Sequence, residues 1–253
     1  MDLERLVNVD RRIIYVLIAI GTTLPILLPI GFSVSTTPPV EHMFQKIEDC
    51  GTDDAVLISF DYGPTTAPEN TPMAEAVLRH CFSRGVNVIV IALFPIGGLT
   101  MAGEVLTNVV AEYPHLQEGV DYAFLGYKDG AQAAMKQMGV DFAGVFPSDQ
   151  NGTPLQQIPL MRKVKNYYDI SLIASFSTGV IGEWWANLVN AQFGTPVAVG
   201  CTAVSAPKYY AYLDAGQMIG LLGGLKGASE YERLLLDGFP ELNAIYSKAG
   251  SYN

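Results

Sequence analysis

Apolar runs of about seven residues recur along the chain and alternate with stretches in which apolar positions return every three or four residues. The runs AVLISFD (55–61), NVIVIAL (87–93), DYAFLGY (121–127), ISLIASF (170–176) and PVAVGCT (196–202) predict strands buried on both faces. Helical spacing between them predicts helices at 40–50, 72–84, 99–112, 130–138, 158–167 and 180–192, and a long last helix over 215–236. VDFAGVF (140–146) offers a further strand. Strands alternating with helices predict one α/β domain over 40–253: a mostly parallel, Rossmann-like, doubly wound sheet of five or six strands.

Ahead of this domain the pattern changes. Residues 13–34 carry no charge and follow the pair Arg11-Arg12. Twenty-two helical residues span about 33 Å, enough for one bilayer crossing. The segment is expected to be a retained transmembrane anchor, with 1–12 as its flank and STTPP (35–39) as a short stiff spacer. Gly21, Thr22 and Thr23 are small enough to let a neighbouring helix approach. A cleaved signal ending near Ser33-Val34-Ser35 is the competing reading, although the apolar run exceeds the usual length of such a signal. Arg5, Arg11 and Arg12 precede the span and the next basic residue is Lys46, so the N-terminus should be cytoplasmic and the body should face the periplasm or cell exterior.

Composition narrows the partners. The formal charge is −10 and only 16% of residues are charged, which disfavours nucleic acid and leaves much uncharged surface. Three cysteines without a C-x-x-C pair, and three scattered histidines, indicate neither a disulfide framework nor a metal site. FPIGG (94–98) is not a dinucleotide fingerprint and no Walker lysine follows it, so no cofactor is expected.

In an open parallel sheet the ligand crevice lies beyond the carboxyl ends of the strands. Asp61 and Tyr62 open the loop DYGPTTAPENTP there, and Lys128 and Asp129 lie in GYKDG (126–130). Ser175, Ser177 and Thr178 lie in SFSTG (175–179), and Thr202 follows the fifth strand. Ser175 or Ser177 with Asp61 or Lys128 is a weak catalytic set, because no histidine base is recognisable and the nucleophile elbow is missing. Capping of the helix at 180–192 accounts for Ser177 and Thr178 equally well. As a ligand set, Asp61, Tyr62, Lys128, Asp129, Thr178 and Thr202 converge on the crevice.

Interface candidates are Trp184, one of an adjacent tryptophan pair, and Tyr209, Tyr210 and Tyr212 in a tyrosine-rich loop. Gly220 and Gly224 are spaced to form a flat strip on the last predicted helix. The expected function is a membrane-anchored structural or assembly subunit that meets other membrane-protein subunits or a second copy of itself. A tethered binding domain for a small extracytoplasmic ligand is the first alternative, since the order of elements resembles one lobe of a periplasmic binding protein. A serine-dependent hydrolase is the second.

Overall fold

The computed structural model describes residues 10–27 and 35–249. Its strands are β1 (Ala55–Asp61), β2 (Asn87–Ala92), β3 (Tyr122–Tyr127), β4 (Leu172–Ser177), β5 (Val197–Cys201) and β6 (Gly220–Gly223). All pair in parallel, in the order β3-β2-β1-β4-β5-β6. This order is that of a doubly wound, Rossmann-like sheet, which grows outward from β1 in one direction and from β4 in the other.

Within each central strand successive side chains serve opposite layers. Val56, Ile58 and Phe60 join one core cluster, and Ala55 and Leu57 join the other. The first layer holds α2 (Pro38–Glu48), α3 (Ala67–Arg84), α4 (Gly98–Val110) and α10 (Gly224–Gly238). The second holds α5 (Ala131–Met138), α6 (Pro159–Lys163) and a helical stretch in three parts: α7 (Ile181–Trp184), a π-helical turn (Trp185–Asn190) and α8 (Ala191–Phe193). The short α9 (Tyr210–Asp214) precedes β6, and α11 (Asn243–Ala249) follows α10.

Three expectations need correction. VDFAGVF is not a strand: Phe142, Val145 and Phe146 are the buried positions, spaced as i, i+3 and i+4 around a 3₁₀ turn at Phe142–Gly144. The helix expected over 158–167 ends at Lys163, and the next turn is a separate 3₁₀ segment at Tyr167–Asp169. The helix expected over 215–236 is a strand followed by a helix, so Gly220 and Gly224 share no helical face. A Cβ at Gly220 would lie 2.6 Å from the Met43 Cβ and 2.9 Å from the Pro39 carbonyl oxygen, and this close approach is what glycine permits there. Gly224 opens α10 in the left-handed region at φ +63°.

Helix α1 (Arg11–Leu27) has 17 residues, and none of the helices among the described residues is long and apolar enough to cross a membrane. Residues 1–9 of the expected cytoplasmic flank and 28–34 of the expected span lie outside the described residues. The spacer is shorter than expected, because α2 already begins at Pro38.

Helix α2 is fastened to the fold at both ends. The Thr37 amide and hydroxyl donate to Glu230 Oε2 on α10, at 2.9 and 2.6 Å. At the far end Glu48 Oε1 lies 2.7 Å from His80 Nε2, and the Arg84 guanidinium donates to the Glu48 carbonyl.

Candidate functional site

The carboxyl ends of β1 and β4 meet at the point where the sheet reverses its direction of growth. Register places Ser59 beside Ser175 and Asp61 beside Ser177. Because side chains alternate along a strand, all four point toward the layer that contains Trp185.

Asp61 is fully buried and surrounded by donors. Ser59 donates to its Oδ1 at 2.7 Å, while Ser175 and Trp185 Nε1 donate to its Oδ2 at 2.6 and 2.8 Å. The Leu93 amide, just past β2, adds a fourth bond. Burial pushes the carboxyl above its ordinary range, and the Ser175, Trp185, Ser59 and Leu93 donors pull it back. Trp185 opens the π-helical turn, a widened geometry that often marks a specialised position in a helix. Here it delivers an indole N–H to a buried carboxylate.

This arrangement binds β1, β4, the β2 loop and one helix around a single side chain. It is not a hydrolytic triad. The Ser175 hydroxyl already donates to Asp61, and neither residue is exposed. Ser177 is also buried, beside the Tyr209 hydroxyl and Gly182. The two oxygens are close enough for Ser177 to affect the ionisation of Tyr209, yet neither has a well-aligned hydrogen bond. Burial pushes the Cys201 thiol, which pairs with Ser177 in register, up to about 12, so it stays protonated at neutral pH. The histidines lie elsewhere: His80 is buried between Glu48 and Tyr231, and His42 and His115 are exposed in other parts of the chain.

A Cβ at Gly182 would sit 2.5 Å from the Tyr209 hydroxyl and 2.6 Å from Ser177 Oγ. Gly182→Ala should therefore lower stability by about 1–3 kcal/mol. A fall in the urea midpoint at unchanged slope is the expected reading.

The other expected residues are scattered. Tyr62 is buried and its hydroxyl lies 2.9 Å from Thr71 Oγ1. Lys128 is half-buried, and exposed Asp129 accepts from the Tyr127 hydroxyl at 3.1 Å instead of capping α5. Thr178 and Thr202 are half-buried; Thr202 Oγ1 donates to Ser205 Oγ at 3.1 Å. Ser177 belongs to β4, and α7 begins without a side-chain cap.

Of the interface candidates, Tyr209 is fully buried, Tyr212 and Trp184 are half-buried and Tyr210 is exposed. Trp185 took the core position of the tryptophan pair. Lys208 lies 2.8 Å from Glu183 Oε1, and Glu69 Oε2 accepts from the Ala203 amide at 2.9 Å. Asn70, next to Glu69, is fully buried with no hydrogen-bond partner for either side-chain atom.

Sequence reasoning missed Ser59 and the role of Trp185. The signal was present: Ser59 with Asp61, and Ser175 with Ser177, are polar at alternate positions in otherwise apolar strands, and so mark one shared face.

Two open cavities, of about 530 and 520 Å³, lie away from this end. The first is lined by Phe142, Leu155, Met161 and Lys165, the second by Leu106, Val110, Tyr122, Phe124 and Gln150. No group of three His, Cys, Asp or Glu side chains among the described residues is placed to hold a metal ion. Comparison of the chain with models of protein families, with curated proteins and with solved structures finds no match.

Proposed function

We propose that this protein is a membrane-tethered, non-catalytic subunit whose α/β body stands outside the cytoplasm and takes part in a membrane-protein assembly. The observation that carries the tether is α1: six consecutive apolar residues, Ile13 to Ile18, are all exposed, so the helix offers apolar surface on every side. A helix apolar all round is matched to a lipid or helix-packed surrounding rather than to water. Arg11 and Arg12 at its start support a cytoplasmic position for that end.

Non-catalytic describes the strand ends best because Asp61, Ser175 and Trp185 are committed to one another, while buried Ser177 faces a tyrosine and a glycine. The tether and assembly reading is tested by extracting the full chain from its own membrane in mild detergent and weighing it by native mass spectrometry. A defined complex with other subunits or further copies is expected. Release by alkaline carbonate without detergent would overturn the tether, and a monomer would overturn the assembly. Labelling of Ser175 or Ser177 by a serine-directed fluorophosphonate would restore the hydrolase.

A tethered small-ligand domain is the second reading. Three buried side chains, Asn70, Ser177 and Tyr209, hold polar atoms without partners near the carboxyl ends of the strands. This reading requires a ligand that raises the melting temperature of the wild type and fails to do so for Asn70→Ala.

A further inference from the structure

We infer that the end of the domain formed by the carboxyl ends of the strands rests on the surface of the bilayer that holds the tether. This deepens the tethering proposal and depends on it.

Two observations meet at that end. The first is where the chain leaves the body. Helix α10 starts directly after β6, at the carboxyl end, and runs away from it. Glu230, its seventh residue, lies about 9 Å along the axis and binds Thr37. Helix α2 then leads from Thr37 to Glu48, which meets His80 and Arg84 near the end of α3, close to the start of β2. The chain therefore joins the body part-way along the sheet, about 9 Å from the carboxyl ends, and α2 runs on from there toward the opposite end. Only residues 28–34 separate Leu27 from Ser35, which limits the gap to less than about 30 Å.

The second is which side chains protrude. Ile96 after β2, Val180 after β4, Val204 and Tyr210 after β5 and Leu225 after β6 are all exposed at this end, Val204 at 91% and Ile96 at 73%. Four aliphatic tips and one tyrosine, following four of the six strands, form a set that enters the interfacial layer, where tyrosine places its ring in the acyl boundary and its hydroxyl among headgroups.

A short tether holds the face at a high effective concentration, so shallow insertion is enough to keep it seated.

The full chain in phosphatidylcholine nanodiscs provides the test. Single cysteines introduced at Val204, Val180, Val140, Tyr168 and Leu17 take a nitroxide, and the native Cys50, Cys81 and Cys201 are buried. Collision with oxygen, which partitions into lipid, is compared with collision with a water-soluble nickel chelate. The expected oxygen-to-nickel ratio is several-fold higher at Val204 and Val180 than at exposed Val140 and Tyr168 on the opposite end.

Equal ratios at the two ends, with Leu17 lipid-exposed, would overturn the inference and leave the tether standing. Shielding of Val204 from both reagents would mean that a protein partner covers this face, and would also overturn it. A water-exposed Leu17 would bring down the tether and the inference together.

Discussion

Replacing Asp61 with alanine should lower the unfolding free energy by about 3–5 kcal/mol. The change leaves the Ser59, Ser175 and Trp185 donors and the Leu93 amide facing an apolar gap in a fully buried place. Asp61→Asn keeps the shape and one acceptor oxygen, and the serine hydroxyls can reverse to accept from the new amide group, so about half that loss is expected. Trp185 has no such freedom, since its indole nitrogen only donates. Chemical unfolding of the full chain, followed by near-ultraviolet circular dichroism, checks both variants. A loss below 1 kcal/mol for the alanine variant would mean that the carboxylate does not hold the strand ends together.

The second large effect is a dependence on pH. Burial depresses His80 to about 4, with Arg84 acting in the same direction and the Glu48 contact opposing it. In the unfolded chain the ring titrates near 6.5, so between these values the unfolded state holds a proton that the folded state refuses. Stability from this group is therefore complete above pH 6.5 and declines as pH falls toward 4, by about 3 kcal/mol in all. Glu232 acts with the opposite sign: burial raises it to about 7, so its contribution is lost as pH rises from about 4.5. The difference between wild type and His80→Gln across pH 4 to 7 isolates the histidine. An equal slope in the two proteins would mean that His80 takes up its proton as readily in the folded state as in the unfolded one.

The central strands were legible because their apolar runs exceed anything a surface element tolerates, and the structure places β1, β2, β4 and β5 within two residues of expectation. Strand β6 was not legible. Its four residues, GLLG, carry two glycines and too little apolar length to separate a strand from a helix, and the reason for Gly220 lies in Met43 and Pro39, far away in sequence. The candidate site divides in the same way. The burial of Asp61 follows from its position closing an apolar strand, but its partners come from β4 and a π-turn whose position depends on packing.

The fastening of α2 also has a mechanical side. Any pull along the N-terminal segment reaches the body first at Thr37 and Glu230, beside β6, and then runs down α2 to its contacts with His80 and Arg84. Load is thus taken by a helix lying across the outer strand before it can reach β1, and the Asp61 junction at the middle of the sheet is shielded from movements of the N-terminal segment.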